Sequence, residues 1–311
     1  MSGAAQTTLK IIVYIEIIIG CTGSGFISLV NFVLWVKRRK ISLFDQVLTA
    51  LATCRNVLFC SLLIPLLIPL HFSDLLPIRN TVQISKVIWI ISNHFNLWLS
   101  TILSIFYFLK IATFSHSIFL YLKWRLKKVS RTLLMSLFFL FLNIILSNIC
   151  SDAWYDGSII NIPHTSKWRN FTQLYKSLIL TNSMFILMPF VVSLTSFLLL
   201  IFSLWKHLKR MQLNAPGSRD TSTMAHMKAL RTGVAFLLLY VIVLFSVSVQ
   251  ALSLELVDDN LIIFWDQANL IAFPSGHSFV LILGNRKLKQ ASVLVWGWLR
   301  CKFRETEPKD P

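Results

Sequence analysis

Residues 11–40 read IIVYIEIIIGCTGSGFISLVNFVLWVKRRK, an apolar run closed by the cations Lys37, Arg38, Arg39 and Lys40. A helix rises about 1.5 Å per residue and needs about 20 apolar residues to cross the hydrocarbon of a bilayer. This run therefore predicts a membrane-spanning helix with a basic flank. The same kind of stretch recurs along the chain, and the set is 11–36, 47–70, 87–109, 132–150, 178–205, 232–254 and 261–283. At membrane depth no bulk water satisfies peptide groups, so spans this long and apolar must be helices. No segment keeps the period-two alternation of a barrel strand. The reading is an all-α membrane protein, a seven-transmembrane helix bundle.

Composition leads to the same class. A hydrophobic fraction of 55% with 14% charged residues is too apolar for an ordinary water-soluble domain of 311 residues. The formal charge of +17 raises the question of nucleic acid, and the placement of the charges answers it. Lys37 to Lys40 follow the first span. Lys110, Lys123, Arg125, Lys127, Lys128 and Arg131 follow the third, Lys206, Lys209, Arg210, Arg219, Lys228 and Arg231 follow the fifth, and Arg286 to Lys309 form the tail. If the spans alternate, all of these fall on one side. By the positive-inside rule that side is the cytosol, so the amino terminus is extracellular and the carboxyl terminus cytosolic. The basic excess reads as topology, contact with the lipid bilayer and a protein surface, not as a nucleic-acid site.

The single sequon, Asn170-Phe171-Thr172, lies between the fourth and fifth spans, on the side that the charges assign to the exterior. Asn170 is the expected glycosylation site. Residues 1–10 lack a basic n-region and the first span is too long for a cleaved h-region, so that span is expected to act as an uncleaved anchor. No repeat or low-complexity linker divides the chain, and residues 1–311 are read as one bundle. Its largest loop, 151–177, is outside and the flexible 214–218 segment inside. Cys21, Cys54, Cys60, Cys150 and Cys301 show no metal spacing and read mainly as small buried hydrophobes. Cys301 follows Trp296 and Trp298 beside Arg300 and Lys302, a composition suited to an interfacial helix, where it is either palmitoylated or an unmodified thiol. Neither a metal nor a cofactor is implied.

Polar residues within the spans are where chemistry is expected. Arg55 sits mid-span, too deep to snorkel cheaply, and calls for a partner inside the bundle: Asn31, Ser278 or carbonyls near Pro274, with Glu16 a weaker choice. It is either structural glue or a conformational switch. On the third span Trp89, Asn93 and Asn96 follow i, i+4, i+7 spacing with His94 adjacent. An aromatic wall with hydrogen-bonding groups about 6 Å deeper suits a pocket for weakly polar small molecules. The alternative is that Asn93 and His94 bond across helices. Pro65, Pro69, Pro189 and Pro274 are expected to kink or loosen their helices.

The residues resemble one family, the type 2 (bitter) taste receptors, a divergent branch of G-protein-coupled receptors, over nearly the whole chain. The similarity is carried by residues 25–31, GFISLVN, by 48–52, LTALA, ahead of Arg55, and by Asn93-His94 with Trp98. The most specific matches are 106–112, FYFLKIA, 120–125, LYLKWR, Ala225-His226 with Ala229-Leu230, and 274–279, PSGHSF, continued by Leu288-Lys289-Gln290. No acidic-Arg-Tyr triplet ends the third span and no Asn-Pro-x-x-Tyr closes the seventh, as in that branch. Ser24 in the first span, Thr113 and Thr221 depart from its usual Asn, Asn and Pro.

The resemblance implies detection of bitter small-molecule agonists and activation of a heterotrimeric, gustducin-type G protein at the plasma membrane. It implies a pocket that includes Trp89, Asn93, His94, Tyr240 and Gln267, and a G-protein-facing end that includes Lys110, His116, Lys206, His207 and His226. Two rival classes fit less well. Pro274-Ser275-Gly276-His277 also spells the central motif of membrane lipid phosphatases, but the chain has no Arg-Pro dipeptide for their phosphate cradle and no histidine after His277. A secondary transporter would call for an inverted repeat and paired intramembrane carboxylates, which the sequence lacks.

Overall fold

A computed structural model describes residues 2–67, 75–111, 134, 136–149, 185–203, 205–206, 209, 221–253 and 259–306. Eight helical segments account for most of them: α1 (Ser2–Arg38), α2 (Leu43–Leu67), α3 (Leu75–Ile111), α4 (Ser136–Ile149), α5 (Phe185–Ser203), α6 (Thr221–Ser253), α7 (Asp259–Gly284) and α8 (Arg286–Thr306). No strand occurs among the described residues. Helices α1, α2, α3 and α5 carry apolar segments long enough to cross a membrane, and α4, α6 and α7 carry shorter ones. All seven coincide with the stretches read from the sequence. The loops 151–177 and 214–218, with Asn170, Pro69 and Cys150, lie outside the described residues.

The outer surface of the bundle is apolar, and polar side chains are buried among the apolar clusters inside it. Ile11, Ile15, Ile18, Leu29 and Phe32 of α1 point outward, while Ser24 and Asn31 of the same helix are buried. The outer surface repeats this in Phe138 and Phe141 of α4, Leu198 and Phe202 of α5, and Leu238 and Phe245 of α6. Such a surface fits lipid as the surrounding solvent, with polar side chains turned toward each other inside. Helix α1 packs on α2 and α7, α2 on α3, α6 on α7, and α3 also reaches α6.

Close approach at the α1–α2–α7 junction depends on Gly20, where a Cβ would overlap the ring of Phe59 and the hydroxyl of Ser275. One turn on, Ser24 Oγ lies within hydrogen-bond distance of the Gly20 carbonyl and of Asn56 Oδ1 on α2. Thr101 Oγ1 donates to the Pro189 carbonyl of α5 at 3.1 Å and accepts from Ser193 Oγ at 2.9 Å, joining α3 to α5. Helix α1 stops where Arg39 turns into the left-handed region (φ 49°), its N–H reaching back to the Trp35 carbonyl at 2.8 Å. Ser42 then caps α2. Its Oγ accepts from the Asp45 N–H at 3.1 Å and donates to Asp45 Oδ2 at 2.7 Å. Asp45 Oδ2 also accepts from Lys287 Nζ at 2.9 Å, which ties the start of α8 to the start of α2.

The helices overrun the apolar stretches. Helix α1 begins at Ser2, α3 at Leu75 and α6 at Thr221, so Arg79, Lys86 and Lys228 are helical residues where the sequence reading had put them in the gaps between spans. Hydropathy marks where lipid ends, whereas a helix continues as long as its own hydrogen bonds outlast the apolar run. Lys86 uses the extension to donate from Nζ to the Ser147 carbonyl of α4 at 2.7 Å.

Candidate functional site

Arg55 lies midway along α2 and is fully buried (0% exposed) at the meeting of α2, α3 and α7. Its guanidinium is a planar fork of five N–H donors. Nε donates to Asn96 Oδ1 at 2.9 Å and Nη2 to Ser100 Oγ at 3.3 Å, two residues one turn apart on α3. Nη1 donates to Ser278 Oγ at 2.9 Å, and Nη2 meets His277 Nδ1 at 2.6 Å, adjacent residues on α7. Because arginine only donates, His277 must accept at Nδ1, and a neutral ring then carries its proton on Nε2. Ser278 passes the interaction on to the Pro274 carbonyl at 2.8 Å. Of the partners expected from sequence, Ser278 is the one that bonds Arg55. Asn31 bonds Thr49 Oγ1 at 3.1 Å instead, and the Pro274 carbonyl is reached only through Ser278.

One face of α3 is divided between two tasks. Asn96 turns to Arg55, whereas Trp89 and Asn93 line a small recess between α3, α4 and α5, with His94, Asn143 and Phe185 among its other walls. His94 lies on the wall while its Nε2 faces Ser136 Oγ of α4 at 3.1 Å and its ring packs on Phe95 and Trp98. It therefore serves the helix contact and the recess at once. Asn143, from α4, was not singled out in the sequence; only its polarity in an otherwise apolar span pointed to it.

Tyr240 on α6 is closed off from solvent behind this recess. Its hydroxyl donates to the carbonyl of Ile186, itself one of the residues lining the recess, at 3.1 Å. Its ring contacts Phe190 of α5 (5.1 Å between centroids), Phe236 of α6 (5.8 Å) and Phe273 of α7 (5.1 Å). Phe236 and Phe273 in turn flank the ring of His277 at 4.7 and 5.8 Å. A continuous path of packed groups thus leads from the recess wall, through Ile186, Tyr240 and the two phenylalanines, to His277 and Arg55.

Gln267 lies on α7, Lys110 at the end of α3 and His226 on α6, with side chains outside the described set. Lys206 is exposed in the helical residues after α5. His116, His207 and Asn170 are outside the described residues.

Comparison with known proteins resolves which class of bundle this is. The profile of the family described as Taste receptor protein (TAS2R) matches residues 1–300. The chain is similar to Taste receptor type 2 member 140 of Rattus norvegicus, 48% identical over 312 residues and covering 100% of both chains. It is also similar to member 125 of Rattus norvegicus (48% identical, 96% of each chain) and to member 14 of Macaca mulatta (47% identical, 99% of this chain and 97% of the other). The chain belongs to the type 2 taste receptor family. It is a G-protein-coupled bitter taste receptor, and its family is one of receptors rather than an enzyme class. The PSGHSF run of this taste receptor supplies interhelical contacts: Ser275 Oγ bonds the Glu16 carbonyl at 3.1 Å, and His277 and Ser278 hold Arg55.

Arg55→Leu removes four interhelical hydrogen bonds at about 0.6–1.7 kcal/mol each, so a loss of about 2–7 kcal/mol is expected. Thermal unfolding of the purified receptor checks this: the variant should melt clearly below the parent, and equal melting would show that the guanidinium does not hold the three helices.

Proposed function

We propose that the chain is a multi-pass plasma-membrane receptor, amino terminus outside and carboxyl terminus cytosolic, that recognises bitter small molecules in the recess beside Trp89 and Asn93. The observation that carries the reading is the packed path from that recess through Tyr240 to the Arg55 node. The recess combines aromatic walls with a few amide groups, the lining that a weakly polar small molecule calls for. In this reading Trp89 offers a ring for stacking or for a cation, Asn93 and Gln267 offer hydrogen bonds, and His94 forms part of the wall. Tyr240 acts as a lever. An agonist that displaces Ile186 disturbs the Tyr240 hydroxyl bond, and the aromatic contacts carry the disturbance to His277.

The ligand drives signalling only to the extent that it prefers the active packing, since equal affinity for two packings shifts neither. Converting a population from 1:99 to 99:1 takes about a 10⁴-fold preference. The far end of the bundle, with Lys110, His116, Lys206, His207 and His226, is proposed to receive a heterotrimeric G protein with a gustducin-type α subunit, leading to phospholipase C and calcium release. The whole of residues 1–311 is proposed to act as one receptor domain. The orientation rests on the alternation of basic gaps and on the sequon at Asn170.

Screening a panel of bitter compounds by calcium release, in cells carrying a taste G protein, identifies agonists. Trp89→Ala and Asn93→Ala should then shift dose-response curves by several-fold to about a hundredfold, the equivalent of about 1–3 kcal/mol, at unchanged surface level. Wild-type potency of both variants toward every agonist would place the site elsewhere. Orientation is tested separately: an amide-cleaving glycosidase should shift the mobility of the expressed protein, and Asn170→Gln should remove that shift. A glycan retained on the variant would contradict the assignment.

A further inference from the structure

Where the end of α1 meets the starts of α2 and α8, the chain leaves a recess of about 270 Å³ that the path from Tyr240 to Arg55 does not touch. Trp35 of α1, Lys40 and Ser42 of the connection to α2, Asp45 of α2 and Lys287 of α8 are among the residues that line it. Helix α1 stops at Arg38 and the left-handed turn at Arg39 breaks its course, so Lys40 joins this wall instead of continuing the helix.

The charges around this recess do not cancel. Asp45 is buried and engaged twice, by the Ser42 hydroxyl and by Lys287 Nζ at 2.9 Å, so its charge is already matched. Lys287 spends one of its three N–H groups on that bond, and its side chain is still 47% exposed. Lys40 is exposed and has no ion-pair partner among the described residues. Two lysines against one aspartate leave a single positive charge over, and flexible four-carbon stems let both ammonium groups turn to one ligand. The apolar part of the wall runs outward: Trp35 is half exposed, and its ring lies 5.8 Å from that of Phe32, which is exposed on the outer surface of α1. Cations beside an aromatic that continues onto the lipid-facing surface are the composition of the zone where headgroups meet acyl chains. One surplus positive charge suits a phosphodiester, which carries one negative charge. A choline headgroup would bring a further cation to the two lysines, and an acidic peptide would leave the outward-facing rings without a partner.

We infer that this recess binds one anionic phospholipid of the adjoining leaflet, its phosphodiester held between Lys40 and Lys287 and its acyl chains lying past Trp35 and Phe32. The inference depends neither on where the agonist binds nor on which leaflet the recess faces. Lys287 also ties α8 to α2 through Asp45, so the lipid braces that joint and makes the placement of α8 sensitive to the anionic-lipid content of the membrane.

The test uses the purified full-length receptor in nanodiscs of phosphatidylcholine that contain a phosphatidylglycerol with a photoreactive group in its acyl chain. Illumination, digestion and mass spectrometry should find the label on the segment that carries Phe32 and Trp35. Lys40→Gln removes a charge-assisted contact from an exposed position, so it should fold as the parent does and lower that labelling about fivefold or more. Lys40→Arg, which keeps the charge, should retain it. Lys37→Gln, the same change of charge at an exposed residue outside the recess wall, should alter it by less than about twofold at physiological salt. Equal labelling of the parent and Lys40→Gln would overturn the proposal. An equal fall in Lys37→Gln would overturn it as well, because the lipid would then answer only to the +17 formal charge of the chain. Displacement of the probe by soluble glycerophosphoglycerol as readily as by unlabelled phosphatidylglycerol would overturn the lipid assignment and make a free phosphodiester the ligand.

Discussion

A guanidinium placed mid-span must find partners from every side of its fork, and meeting that demand sets how three helices of this receptor come together. Asn96 and Ser100 are one turn apart on α3, so both can face α2 at the depth of Arg55; His277 and Ser278, adjacent on α7, approach the other edge. Lysine would not serve, since a compact ammonium with three donors cannot reach two helices in one plane. A slide of α3 or α7 by one turn would leave several polar groups unpaired in a low-dielectric interior, each worth about 1–3 kcal/mol. The node therefore fixes register as well as adding stability.

Around this polar centre the packing is aromatic. Phe236 and Phe273 hold the His277 ring against Arg55 and contact Tyr240 on their other side. Gly233, one turn before Leu237, allows the Phe197 ring of α5 to lie against α6, where a Cβ would overlap it. Close-packed rings have few intermediate arrangements, so a displacement at Ile186 is transmitted as a repacking rather than absorbed. That property suits a receptor, whose task is to couple a bound ligand to a distant protein surface.

The spans were legible in the sequence because lipid imposes a length and an apolarity that a linear reading can detect. Helix ends were not, since residues 75–86 and 221–231 are polar enough to resemble gaps yet remain helical. Arg55 announced itself by its depth, and Ser278 was within reach of a one-dimensional argument. His277 and Ser100 were not, because nothing local tells which turn of α3 or α7 stands at the level of residue 55. Asn96 was read with Trp89 and Asn93, and only the crowding of α3 by neighbours on several sides separates an amide facing Arg55 from one facing the recess. Family resemblance supplied the role of the molecule but not these partners, which depend on the relative heights of helices far apart in sequence.

The claim at the centre of the account is that Arg55 makes α3 and α7 energetically dependent on one another. A double-mutant cycle with Asn96→Ala and Ser278→Ala, both bonded to Arg55 and reaching it from different helices, measures that dependence through the unfolding of the purified receptor. The account predicts a coupling of about 0.5 kcal/mol or more in the parent, vanishing when the cycle is repeated in an Arg55→Leu background. Strict additivity in the parent, or an equal coupling without the guanidinium, would contradict it.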